Sequence, residues 1–141
     1  MENLEKLIWT AEFSIGNTNI DTVHKSLVDI YNDLIEYTES KRNRIEFAMI
    51  LSKMTDYSLV HFKKEEKYMQ KMSYPELTEH KRLHKDYSYK VAMYNIDLLG
   101  INPPEIKEVI NFIHIWWVDH ILKIDKKYED YKKEIHSNVK Y

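Results

Sequence analysis

The stretch Pro75-Glu-Leu-Thr-Glu-His80-Lys-Arg-Leu-His84-Lys-Asp-Tyr87-Ser-Tyr-Lys-Val91-Ala-Met-Tyr94-Asn-Ile-Asp-Leu98-Leu99 decides the fold. Leu77, His80, His84, Tyr87, Val91, Tyr94 and Leu98 recur in steps of three and four, which lays a single stripe along one side of a helix. Pro75 suits the first turn, where its missing N–H costs nothing. Gly100 suits a helix end in the left-handed conformation. The pattern predicts a helix over about 75–99.

The same spacing recurs on both sides of it. Ile20, Val23, His24, Leu27, Tyr31, Leu34 and Ile35 share a face in a helix over about 19–38. Ile45, Ala48, Leu51, Met54, Ser58, His61, Phe62, Glu65, Met69 and Met72 do so over 44–72, beyond a polar gap at 39–44. Ile106, Val109, Ile110, Ile113, Trp117, His120, Ile121 and Ile124 form the last stripe; Pro103-Pro104 would open that helix, over about 103–122. An arm, 1–18, precedes the helices, and a charged helical extension, 123–136, follows them. Only two glycines and three prolines punctuate the chain, too few for a sandwich, a barrel or the glycine-rich loops of an α/β fold. Four amphipathic helices with short connections predict an all-α, antiparallel, up-and-down four-helix bundle, one domain over 1–141.

Composition narrows the function. Lys plus Arg total 21 against 23 Asp plus Glu, a net charge of −2, without the basic excess of a nucleic-acid binder. No window reaches the roughly 18–20 apolar residues of a membrane span. The chain has no cysteine, which excludes disulfides, thiolate metal sites and cysteine nucleophiles. Its start, Met-Glu-Asn-Leu-Glu-Lys, lacks the basic and apolar regions of a secretory signal, and the expected location is cytoplasmic.

The apolar stripes carry an anomaly. Five of the seven histidines lie on them, His24, His61, His80, His84 and His120, together with Glu65 and Asp125. Each would lose several kcal/mol of hydration on burial unless it is paired or bound to metal. A lone histidine on such a face is ordinarily a satisfied core residue. Five spread over all four helices are better explained by a shared cation. His61 and Glu65 are i, i+4, as are His80 and His84, so each pair projects from one side of its helix. His120 and Asp125 are i, i+5 and would diverge by about 140° on a regular helix. If both face the core, the helix must loosen or end between Ile121 and Asp125.

Imidazole and carboxylate without thiolate suit iron, zinc, copper or manganese. Seven ligands overfill one tetrahedral zinc, which takes about four. Two octahedral metals offer about twelve positions. Five histidines, two bridging carboxylates and one bridging oxygen fill all but one. An open position on a dimetal centre inside an apolar bundle suits a small diatomic ligand, and O2 is the obvious candidate for two ferrous ions.

At this point the chain resembles a family, the hemerythrins, in particular the bacterial single-domain type. The matching segments are Trp9-Thr-Ala-Glu-Phe13, Ile20-Asp-Thr-Val-His24, His61-Phe-Lys-Lys-Glu-Glu66, Tyr74-Pro75, His80 with His84, and Trp116 through His120 to Asp125. The resemblance implies a non-haem, oxo- or hydroxo-bridged pair of iron ions that binds O2 reversibly, for storage, delivery or sensing, rather than an enzyme. It implies that His80, His84 and His120 hold one iron, that His24 and His61 hold the other, which keeps the open position, and that Glu65 and Asp125 bridge them. An O2-consuming enzyme would be a partner consistent with a delivery role. The rival readings use the same ligands: a di-iron oxidase, a peroxide- or NO-scavenging enzyme, or an iron store. Carboxylate-rich oxidases of the ferritin type use Glu-x-x-His pairs, and this sequence has none, which favours reversible binding over O2 activation.

Two positions depart from the family pattern. Val23 stands where glutamine is frequent; being next to His24 it should face elsewhere. Trp117 stands where leucine is common, one turn before His120, and is expected to line the ligand pocket. Met49, Met54, Met69, Met72 and Met93 read as gap-filling core, His114 and His136 as surface or structural, and Glu66 as pointing away from the site. The run Lys126-Lys-Tyr-Glu-Asp-Tyr-Lys-Lys-Glu134 reads as a solvent-facing extension.

Overall fold

The computed structural model describes residues 6–39 and 44–138. Helices α1 (Thr18–Glu39), α2 (Arg44–Lys71), α3 (Leu77–Leu98) and α4 (Ile106–Asp119) pack in sequence around one core, with α1 against α2 and α4, and α3 against α2 and α4. A π-helical segment, His120–Asp125, continues α4 without a break into α5 (Lys126–Asn138). Every regular element among the described residues is helical, and the four-helix bundle matches the architecture expected from the stripes. Leu34, Ile35, Leu51, Val91, Leu98, Val109, Ile110 and Ile113 are fully buried and interdigitate at its centre.

Local chemistry fixes the ends. Gly16 takes φ 87, and the Asn17 side chain then caps α1 by accepting a 3.2 Å hydrogen bond from the Ile20 amide. Between α2 and α3 the left-handed residue is Ser73, φ 54. There the Tyr74 amide donates to the Met69 carbonyl and the Ser73 amide to the Gln70 carbonyl, both at 3.0 Å. That pair of bonds is a Schellman closure. In the arm, a short 3-10 turn spans Ala11–Phe13. Leu7 is tied to α1 by Asn32, which accepts from the Leu7 amide at 2.8 Å and donates to its carbonyl at 3.0 Å.

Several expectations need correction. Pro75 and Pro103-Pro104 lie in the turns before α3 and α4 rather than inside their first turns, because α3 is capped at Glu76 and α4 at Glu105. Gly100 is not left-handed; α3 ends in a tight turn in which the Leu99 and Gly100 amides donate to Ile96 and Asp97. Ile45, Met49 and Met93 are exposed instead of core, whereas Met54 and Met69 are buried. The extension is only partly solvent-facing, since Tyr128 and Glu129 are buried against α2. The expected polar gap falls largely on residues 40–43, outside the described residues. No helix among the described residues is long and apolar enough to cross a membrane.

Candidate metal centre

Four elements bring the seven expected side chains to one place: His24 on α1, His61 and Glu65 on α2, His80 and His84 on α3, and His120 and Asp125 on the π-helical segment. None is more than 5% exposed. The i, i+4 pairs work as ordinary helical neighbours. The i, i+5 pair works because the helix widens to the π form over His120–Asp125, which returns Asp125 to the face that carries His120.

The two carboxylates are shared between two groups of histidines. Glu65 Oε1 lies 3.1 Å from His80 Nε2 and 3.0 Å from His84 Nε2, while its Oε2 lies 3.2 Å from His61 Nε2. Asp125 repeats the pattern: Oδ1 lies 3.1 Å from His80 and 2.9 Å from His120, and Oδ2 lies 3.2 Å from His24. Donor atoms of Glu65, His80, His84, His120 and Asp125 fall within 4.8 Å of one another, as do those of His24, His61 and Glu65. Each carboxylate therefore turns one oxygen toward the trio and the other toward the pair.

Hydrogen bonding alone does not satisfy this cluster. Both Asp125 oxygens are buried without a properly directed donor, although three imidazole nitrogens stand within 3.2 Å. The Nε2 atoms of His80 and His120 approach to 3.1 Å, those of His84 and His120 to 3.2 Å, and those of His24 and His61 to 3.2 Å. So many ring nitrogens and carboxylate oxygens aimed at one small volume are costly unless a cation sits among them. All donors are nitrogen or oxygen, the set that suits first-row transition metals. The residues fit a metal centre.

The electrostatics agree. Burial alone would push Glu65 up, but hydrogen bonds from His61, His80 and His84 outweigh it and hold the carboxyl well below the usual range. Burial and the neighbouring Glu65 charge likewise push Asp125 up, and His120 and His24 bring it far down. Burial lowers His80, yet Asp125 and Glu65 raise it to about 9. His120 is lowered, chiefly by burial. Both carboxylates are thus held as anions, ready to bind a cation.

A further layer of residues surrounds the seven. The Tyr128 phenol donates to Glu65 Oε2 at 2.9 Å, and His84 Nδ1 donates to Glu66 Oε2 at 2.8 Å. Phe62 stacks on His84 with centroids 3.9 Å apart and planes 8° apart, and Trp116 on His120 at 4.2 Å and 12°. Glu129, also buried, accepts from Asn17 at 2.8 Å and from the Tyr68 phenol at 2.6 Å, which ties the start of α1 and the last turn of α2 to α5. Glu66 does not point away as the spacing suggested; at the edge of the helix face its side chain reaches sideways to α3. Tyr128 was hidden in a charged run, though it stands one turn after Asp125 and so shares its side.

Trp117 is buried, and its Nε1–H donates to the Tyr87 hydroxyl at 2.9 Å. Its indole stands edge-on to His24, 6.3 Å between centroids. A cavity of about 10 Å³ lies beside His24, lined by Trp117, Leu7, Leu27, Met54, Ile113 and Ile121 among others. That volume is of the order of one water-sized probe, and the lining is apolar. Val23 lines a separate surface cleft of about 360 Å³ that reaches His61 between Lys53 and Lys64. His114 accepts or donates a 3.1 Å bond with Tyr31, and His136 is exposed; neither joins the cluster.

Comparison with known proteins points the same way. Residues 16–131 match the family model of the hemerythrin HHE cation-binding domain. A bacteriohemerythrin of Clostridium acetobutylicum is 29% identical over 127 residues, 87% of this chain and 98% of its own length. One of Methylococcus capsulatus is 32% identical, covering 86% of this chain and 93% of its own. A crystal structure of a wild-type hemerythrin superposes with a TM-score of 0.76 at 32% identity, over 88% of this chain and 95% of that one.

Proposed function

The chain belongs to the hemerythrin HHE cation-binding family, and on that premise we propose that it binds O2 reversibly at a centre of two iron ions. His80, His84 and His120 would hold one ion and His24 and His61 the other, with Glu65 and Asp125 bridging. The observation that carries this reading is the split of each carboxylate between the two histidine groups: Glu65 with Oε1 toward the trio and Oε2 toward His61, Asp125 with Oδ1 toward the trio and Oδ2 toward His24. A one-metal site would leave the pair or the trio without a role.

A pair of ferrous ions supplies the electrons for reversible O2 reduction when bound. The protein's part is geometric and electrostatic. Glu65 and Asp125 stay ionised in a dry interior and offset the cationic charge. The histidine pair brings fewer ligands than the trio, which leaves room on its side. The small, mostly apolar cavity lies on that same side, against His24, and is of a size to suit a diatomic. Phe62 and Trp116 hold the rings of His84 and His120 by stacking.

On this reading the domain acts in storage, delivery or sensing of O2 rather than as an enzyme. The test is metal analysis followed by spectroscopy. Reconstituted anaerobically, the protein should take up close to two ferrous ions per chain and develop a visible band in air that disappears under vacuum. Consumption of O2 over many cycles with a reductant, without that reversible band, would instead establish an oxidase. A protein that accepts one metal, or zinc alone, would overturn the two-iron reading.

A further inference from the structure

The outer edges of the histidines are not treated alike. Nδ1 of His24 and of His80 is buried with no partner at all. Nδ1 of His84 is held by the Glu66 carboxylate at 2.8 Å. Glu66 directly follows Glu65, so consecutive residues of α2 reach opposite edges of one ring: Glu65 Oε1 lies 3.0 Å from His84 Nε2, and Glu66 Oε2 lies at Nδ1. Phe62, one turn earlier, covers the ring face. His84 is therefore fixed on both edges and one face by α2 alone.

We propose that Glu66 is the positioning residue of this centre: its carboxylate fixes the His84 tautomer with the proton on Nδ1 and Nε2 free to bind metal, and it makes that imidazole a stronger donor. A carboxylate on the distal nitrogen of a ligating imidazole orients the ring and raises its basicity, and removing such a partner typically costs about 10–100-fold in metal affinity. The Glu66 side chain is 23% exposed, against 3% for His84, so the carboxylate reaches a buried ring from the edge of the bundle. The effect is one-sided. It falls on the metal held by the trio and not on the one held by His24 and His61. A more basic ligand stabilises the higher oxidation state, so Glu66 lowers the reduction potential of the trio's metal relative to its neighbour.

This inference rests on the ligand assignment proposed above, but its test does not need O2. Zn2+ is titrated into the metal-free chain against a competing chelator, for the wild type, Glu66→Ala and Glu66→Gln, with the ring nitrogens followed by 15N NMR. In the wild type His84 should show a slowly exchanging, downfield Nδ1 proton and a metal-bound Nε2. Glu66→Ala should lose that proton and weaken one of the two zinc sites about 10–100-fold. Glu66→Gln, whose amide oxygen still accepts from Nδ1, should keep the proton and most of the affinity, and in the iron-loaded protein it should raise the reduction potential because the charge is gone. Equal affinities in wild type and Glu66→Ala would overturn the proposal. So would parallel losses in both variants tracking a lower melting temperature of the metal-free chain, since that marks a structural role. If the wild type binds two zinc ions as described but its iron form does not bind O2 reversibly, the functional reading fails while the role of Glu66 stands.

Discussion

The phenol of Tyr128 and the carboxylate of Glu65 lie 63 residues apart in sequence and share a 2.9 Å hydrogen bond in a fully buried setting. Tyr128 thereby couples α5 to Glu65 of the histidine–carboxylate cluster on α2. The carboxylate in turn raises the phenol well above its usual range, after burial, so Tyr128 stays a donor. Tyr128→Phe keeps the ring contacts with Tyr68 and Tyr74 and removes only the hydroxyl. A hydrogen bond to a charged acceptor contributes about 2 kcal/mol. The variant should lose about that much in chemical denaturation and retain metal less well after dialysis. Unchanged stability with unchanged metal content would show that the bond does nothing for Glu65.

Metal removal should destabilise the fold as a whole, because the cluster joins α1, α2, α3 and the π-helical segment at one buried point. Ligand binding to the folded state alone adds about 2.7 kcal/mol per site at a hundredfold excess over Kd. For a chain of this size that is worth roughly 3 °C per kcal/mol in melting temperature. Chelation should therefore lower the melting temperature by about 10 °C or more. His84→Ala should leave a protein that recovers little of this on adding metal. A melting temperature that is the same with and without chelator would rule out a structural contribution from the centre.

Glu65→Ala and Asp125→Ala should each remove a bridge. In either variant the trio and the pair of histidines lose their shared anion, and iron binding should fall below two ions per chain. The two are not equivalent, because Asp125 depends on the π-helical segment and Glu65 does not. Asp125→Ala should therefore also let the helix relax toward the regular form, visible as altered amide exchange from His120 to Asp125. Intact iron content and O2 reversibility in Asp125→Ala would show that Asp125 is not a ligand.

How far the sequence could be read depended on the kind of constraint. The stripe from Leu77 to Leu98 and its three counterparts dictate the bundle, because periodicity records which side is buried. The convergence of the seven polar side chains was legible for the opposite reason: polar groups at apolar positions conflict with the stripe, and the conflict marks where they meet. The i, i+5 spacing of His120 and Asp125 exposed a second conflict and left two solutions open, a loosened helix or a helix end; the chain takes the first, a widened turn over His120–Asp125. Glu66 and Tyr128 stayed hidden because each sits among charged or exposed neighbours, and only tertiary packing turns them inward. Ser73 in the left-handed conformation was equally unreadable, since glycine is the usual signal for it and Gly100 drew that reading instead.

Alkaline conditions should unfold the protein sooner than its salt bridges suggest. Burial pushes the phenols of Tyr31 and Tyr94 up to about 12. The unfolded chain ionises them near 10, so above that pH it holds fewer protons than the folded chain. The stability these two groups contribute is complete below about pH 10 and is lost as pH rises toward 12. Tyrosinate absorbance should rise in two stages, with the second coinciding with loss of helical circular dichroism. A single smooth titration of all eleven tyrosines, with helix content retained, would contradict it.

If O2 binds on the His24 side, Trp117 is placed to control its access. The indole walls the cavity beside His24, stacks on Phe62 at 5.6 Å and 23°, and donates to the buried Tyr87 hydroxyl. Two effects oppose each other. A ring excludes water and so protects ferrous iron from irreversible oxidation, and it also occupies space that O2 needs. The cavity that remains is about 10 Å³, enough for one small molecule and no chain of waters. O2 is small and apolar and suits that space better than water does, so exclusion of water is expected to be the larger effect. Trp117→Leu should enlarge the cavity, leave iron content intact, and speed both O2 release and conversion to the ferric state in air. It should also lower stability by about 3 kcal/mol, from lost ring packing and the lost hydrogen bond to the Tyr87 hydroxyl. Tyr87→Phe separates the two consequences: it removes the indole's acceptor while leaving the ring in place, so it should cost stability without opening the cavity. The ferrous-to-ferric rates of the three proteins decide the matter. If Trp117→Leu oxidises no faster than the wild type, the indole fills space but does not guard the iron.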